Sequence, residues 1–217
     1  MFGDVFQSGL VSLFYSVGSK PLQLWRREEA APGCTSRVLD DEIQSSVLQL
    51  TGDVPTTSIT CPPTPSTSLH IRLPNLVLQL KLINAGDNSG GQLAHVSLEV
   101  AVHTSHEPTW RLRWSTYTTS VEVHPTLQLV LLPWHGLLLK SGWQLVQLDL
   151  KHVVHSLTRR TFLHVQSIQL HANCRLRRVF FSDAFVSCES RLPVEFRLFK
   201  RLPPDAVATR KSTKRKR

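Results

Sequence analysis

Apolar side chains recur at every second residue in segment after segment, and that period constrains the fold more than any other feature of the chain. In LHIRLPNLVLQLKL, Leu69, Ile71 and Leu73 alternate with His70 and Arg72. After Pro74, Leu76, Leu78, Leu80 and Leu82 alternate with Val77, Gln79 and Lys81. Successive side chains of a strand point to opposite faces, so both halves read as sheet strands. The same period recurs in VSLEVAVH (96–103), WRLRWST (110–116), LQLVLL (127–132), WQLVQLDL (143–150) and FLHVQSIQL (162–170). Together they predict a mainly β protein of antiparallel strands with little helix, most simply a β-sandwich or jelly roll. Two segments are helix candidates. DDEIQSSVL (40–48) has the acidic start that suits a helix N-terminus, although it also reads as a helical turn running into a strand; the other is a turn near 152–157.

Turn chemistry separates these segments. NAGDNSGG (84–91) is a polar, glycine-rich loop, CPPTPSTS (61–68) a proline-fixed connection, and Lys140-Ser141-Gly142 a tight turn before Trp143. Beyond residue 199 the periodic pattern stops. The sequence divides into a β domain over 1–199 and a basic tail over 200–217, which offers nothing to bury and reads as disordered. Of the net charge of +9, the tail carries +7, leaving +2 on the body. A polyanionic partner fits that division, and KRKR, Lys214 to Arg217, reads equally as a nuclear import signal, a nucleic-acid arm, a clamp for an acidic protein or a solvated end.

Motifs for catalysis are missing: there is no GxSxG, Walker loop, GxGxxG or HExxH. The four cysteines form no CxxC pair, so neither a disulfide framework nor a zinc ribbon is indicated. The histidine pairs His103 with His106 and His152 with His155 stand three residues apart, which on a strand puts the two rings on opposite faces and disfavours chelation. Cys174 lies beside arginines that would lower a thiol pKa, but it equally reads as a small apolar residue at a strand-to-strand turn. Asp4 precedes the mildly apolar N-terminus, so no signal peptide is expected. The apolar run LVLLPWHGLLL (129–139) is too short and too broken to cross a bilayer. Neither an enzyme nor a cofactor is expected, and no membrane partner.

One stretch resists a purely architectural reading. LHANCRLRRVFFSD (170–183) is apolar enough for a core strand, yet it carries Arg175, Arg177 and Arg178 almost side by side. It belongs to a set of long blocks, in one collinear order over residues 1 to about 199, that closely resemble the cilia- and flagella-associated protein 20 family. The others include FQSGLVSLFYSVGSKPLQLW (6–25), DDEIQSSVLQLTG with VPTTSITCPPTPSTSLHIRLPNLV (40–77), GWQLVQLDL (142–150), LTRRTF (157–162) and LPVEFRLF (192–199). A glycine-rich insertion between Lys81 and Val96, a leucine-rich extension between Val123 and Trp143, and the basic tail depart from the family pattern and fit a divergent paralogue.

The resemblance implies a non-enzymatic, jelly-roll-like protein of axonemes and basal bodies. It implies a microtubule inner protein at the inner junction, where the B-tubule closes onto the A-tubule, beside tubulin and a partner similar to the parkin co-regulated protein. Within a jelly roll, Arg175 to Ser182 would form a strand with Leu176 and Phe180 inward, and a β-bulge at Arg177 and Arg178 would aim both guanidinium groups to one side. Internal pairing of one arginine with a carboxylate such as Asp183 or Glu195 is the competing expectation. The candidate tubulin or partner contacts are Lys20, Arg175, Arg177, Arg178, Lys214, Arg215, Lys216 and Arg217. Two rivals to the ciliary reading are a carbohydrate-binding module and a nuclear nucleic-acid-binding protein that uses the tail.

Overall fold

The computed structural model describes residues 1–83, 94–105, 109–134 and 142–198. His106, the loop at 84–91, most of the turn before Trp143, the middle of the leucine-rich extension and the basic tail with Lys214, Arg215, Lys216 and Arg217 lie outside those residues.

Two sheets pack face to face, as the alternation predicts. The first runs in the order β11 (Trp143–Asp149), β6 (Asn75–Leu82), β13 (Cys174–Ser182), β4 (Ser45–Leu50), β3 (Thr35–Asp40), with β1 (Leu10–Tyr15) also paired to β13. The second runs β2 (Arg26–Glu28), β5 (Ser58–Cys61), β12 (Phe162–His171), β7 (Ser97–Thr104), β8 (Trp110–Ser115), β10 (Leu129–Pro133), β9 (Glu122–His124). Every strand pair is antiparallel except β8 with β10, which is parallel. Between the sheets lies one continuous core in which Leu76, Leu78 and Leu80 of β6 face Val100, Val102 and Ile168 of the second sheet, all at most 1% exposed. Burying one such side chain fully is worth about 1.5–3 kcal/mol, so the alternation that defines the strands also supplies the main stabilisation.

Three sequence expectations change. Residues 40–48 form no helix and follow the other reading, a turn running into a strand: Asp40 ends β3, the turn follows, and β4 begins at Ser45, with Val38 opposite Val47. The acidic start instead caps a hairpin, because Asp40 Oδ1 accepts the Glu42 and Ile43 amides. The alternating Leu69–Leu73 segment makes only an isolated bridge from Ile71 to Val165, since His70 takes φ 55° and breaks the strand. The helix near 152–157 does form, as α1 (Leu150–Thr158), capped by Asp149, whose carboxylate accepts the His152 amide. His152 and His155 therefore share a helix side rather than opposite strand faces.

The outer face of the first sheet is not left to water. Residues 183–198 run across it as a strap, burying Leu192 against Val77 and Phe180, and Leu198 against Ile43, Val47 and Trp143. Polar groups fix its course: Gln79 Nε2 donates to Phe196 O at 2.6 Å, and Val186 N donates to Gln147 Oε1 at 3.1 Å.

Candidate partner interface

The bulge expected from the triple arginine is present. In the ladder with β6 the register shifts between Leu176 and Arg178, leaving Arg177 as the extra residue. At that position β13 changes neighbour from β4 to β1: Leu176 is the last partner of Leu48 and Arg178 the first partner of Tyr15, while Arg177 O accepts Ser16 N. The bulge resets the alternation, so Cys174, Leu176, Val179 and Phe181 enter the main core and Arg175, Arg177, Arg178 and Phe180 share the outer face. Phe180 is therefore not inward beside Leu176, as the unbroken period predicts. It is fully buried on the other side, under the strap, with its ring 5.0 Å from that of Phe196.

Sharing a face does not make the three arginines a common surface. Arg178 is 5% exposed, its guanidinium carbon 3.7 Å from the Tyr15 ring centre and 4.5 Å from that of Phe196. It donates to Ser12 Oγ at 3.2 Å and to Glu195 O at 2.8 Å. Burial, with Arg177 alongside, holds its pKa below the usual arginine value, against the opposing pull of Tyr15 and Glu195. It clamps the strap onto the sheet and is no exposed contact. Glu195 takes part through its backbone carbonyl, not through the carboxylate pairing anticipated from sequence.

Arg175 is also engaged, but by a partner the sequence did not suggest. Its Nη1 lies 2.7 Å from Asp40 Oδ2 and its Nε donates to Gln49 Oε1 at 2.8 Å. Asp40 is fully buried where four strands converge: Trp143 Nε1 donates to Oδ1 at 2.8 Å, and Lys81 Nζ stands 3.6 Å from Oδ2. Burial alone would raise this carboxyl's pKa, but Trp143, Arg175, Lys81 and the Glu42 amide outweigh it and hold the group below its ordinary 3.8. Glu42 extends the network to Lys81 Nζ at 3.1 Å. Arg177 is half-buried, donates to Ser45 Oγ and lies 5.5 Å from the Tyr15 ring centre.

Other sequence candidates resolve in the same way. Cys174 is fully buried, and burial pushes its thiol up to about 12, the opposite of activation. His103 joins His164 and His70 in a stack of imidazoles with ring centres 5.0 and 4.6 Å apart. Burial, then His70, His103 and Arg72, hold His164 down at about 4. Among the described residues no group of three His, Cys, Asp or Glu side chains is placed to hold a metal ion.

Lys20 is different. It is exposed on the turn before β2 and borders an open cleft of about 330 Å³, together with Arg27 of β2 and Thr35, Ser36 and Arg37 of β3. Pro21, Leu22 and Leu48 give this cleft an apolar floor. Sequence reasoning named Lys20 but missed Arg27 and Arg37, which stand in unrelated segments; no local pattern joins them.

A family model for the CFA20 domain matches residues 1–200. The chain belongs to the CFA20 domain family. Cilia- and flagella-associated protein 20 of Chlamydomonas reinhardtii is 39% identical over 200 residues, covering 92% of this chain and 97% of that protein. The proteins of the same name from Caenorhabditis elegans and Paramecium tetraurelia are each 36% identical over 92% of the chain, covering 91% and 96% of their own lengths. Strands, strap and edge cleft thus all lie inside the matched CFA20 domain, whereas residues 201–217 lie outside it.

Proposed function

We propose that this chain is a non-enzymatic structural protein of the cilium or flagellum, a microtubule inner protein at the inner junction of axonemal doublets. There it supports the A-tubule to B-tubule connection, and with it motility, beside tubulin and a parkin co-regulated protein homologue, in the axoneme and the basal body. The observation that carries this reading is the CFA20 domain match, which spans the whole folded body at 36–39% identity to proteins named for cilia and flagella. The geometry agrees with a passive role. The buried polar groups around Asp40 satisfy one another, and Cys174, the thiol weighed as a nucleophile from sequence, is sealed in the core.

The test is localisation of the tagged full-length chain in ciliated cells, followed by detergent extraction and tomographic averaging of the doublets. Detergent-resistant density at the inner junction is expected. A detergent-resistant nuclear signal without axonemal density would overturn the proposal in favour of nucleic-acid binding through the tail.

A further inference from the structure

The cleft beside Lys20 lies where the sandwich is open. β3 is the end strand of one sheet and β2 the end strand of the other, so the unpaired borders of both sheets meet at one place. The Thr35 amide donates to Glu29 Oε1 and so points away from β4. The β3 to β4 register has no bulge, so the N–H and C=O groups of Arg37 and Leu39 point outward as well. Their side chains lie on the sandwich-facing side of the strand: Arg37 pairs across from the core residue Leu48, and Leu39 is 67% exposed.

The charged side chains that line the cleft, Lys20, Arg27 and Arg37, are all cations, while Glu28 beside them in β2 is paired with Arg26 at 2.9 Å. Among the described residues Lys20 and Arg37 make no side-chain hydrogen bond or ion pair, and Arg27 has only Glu29, at 3.7 Å. Glu29 is itself engaged with the Thr35 amide. An exposed strand border is a template for another strand, and cations on it discourage pairing with like chains. A second copy of this chain would bring the same three cations to the same border. The remaining fit is an extended segment of opposite charge.

We propose that the β2–β3 border is a docking site for an extended acidic segment of a partner protein, which adds as a strand to β3 and sets carboxylates against Lys20, Arg27 and Arg37. Strand addition takes affinity from the main chain and selectivity from alternate side chains. The face presented to the occupant carries Arg37 and Leu39 two residues apart, so the selected pattern is an acidic residue and an apolar residue two apart. This inference concerns what the border binds and does not depend on the inner-junction reading; it holds or fails on the purified chain.

The experiment uses the full-length protein and a fluorescent peptide of about eight residues, ordinary strand length, alternating threonine with glutamate and carrying one leucine two positions from a glutamate. Lys20→Ala with Arg37→Ala should weaken binding by roughly tenfold or more, since several charges act together on one surface. The tail is common to both proteins and cancels. Both residues are exposed, so circular dichroism should be unchanged, and the single variant Lys20→Ala gives a milder second reading. N-methylation of the peptide's central amides should abolish the specific component. Equal binding by native and double-variant protein would overturn the site, indifference to N-methylation would overturn strand addition, and equal competition by a single-stranded oligonucleotide would replace the peptide with a general polyanion.

Discussion

The centre of β13 and the border formed by β2 and β3 carry similar numbers of cations and use them in opposite ways. At the centre, Arg175 is bound to buried Asp40 and Arg178 is closed between Tyr15 and Phe196. At the border, Lys20 and Arg37 face solvent around a cleft. A cluster of charge in sequence therefore need not be a surface in space. A cation in the middle strand of a covered sheet becomes framework, whereas one on an end strand stays available.

The largest expected effect of breaking this contrast lies at Asp40. Asp40→Ala removes the buried carboxylate that accepts from Trp143 and Arg175 and faces Lys81; the lost indole bond and the lost carboxylate of Arg175 together cost about 3–5 kcal/mol, although Lys81 keeps Glu42. With about 2–4 °C lost per kcal/mol in a chain of this size, differential scanning calorimetry should record a fall of roughly 10 °C. Pairing Asp40→Leu with Arg175→Met should recover part of that loss, because an apolar pair needs no partner.

Arg178→Ala comes next, at about 2–3 kcal/mol, through the two aromatic stacks, the Glu195 carbonyl and the cavity left behind. Arg177→Ala, half-exposed, should cost under about 1 kcal/mol. Denaturant melts of the two single variants separate clamp from surface, and equal losses would erase the distinction. Because Arg178 holds the strap, charge reversal at Arg177 and Arg178 together tests folding rather than contact.

Acid titration gives a smaller effect of defined sign. His164 is held near 4, while the unfolded chain's histidine titrates near 6.5. As pH falls from about 6.5 to 4 the unfolded chain therefore gains a proton that the folded chain refuses, and stability should drop by about 1–2 kcal/mol after allowance for solvent. Below 4 this contribution is flat. Asp40 acts in a lower window, since its depressed pKa gives stability that is lost as pH falls below its ordinary 3.8. Thermal melts of His164→Gln should shrink the upper step, whose remainder belongs to His171, also held low by burial, and keep the lower one.

The smallest effects belong to the border, where Lys20→Ala and Arg37→Ala should each change stability by no more than about 0.5 kcal/mol.

The sequence made the long strands legible because β6, β7, β8, β11 and β12 each repeat the two-residue period over several residues. The short strands were harder. β3 and β4 meet through an acidic turn that looks like a helix start, and Leu69–Leu73 alternates without being a strand because His70 takes a left-handed conformation. The bulge was readable from three arginines that break the alternation. Their fates were not, because those depend on residues distant in sequence: Asp40 for Arg175, and Tyr15 and Phe196 for Arg178. The border cleft was hidden for the same reason, since Lys20, Arg27 and Arg37 come together only when two sheets end at one place.

The contrast between framework and available cations can be measured directly by treating the native full-length protein with an arginine-selective arylglyoxal and mapping modified peptides over time. Arg37 should react at the rate of an exposed guanidinium. Arg178 should be protected by on the order of tenfold or more, becoming reactive only as the strap opens in denaturant. Modification of Arg178 in the native protein as fast as Arg37 would contradict the account.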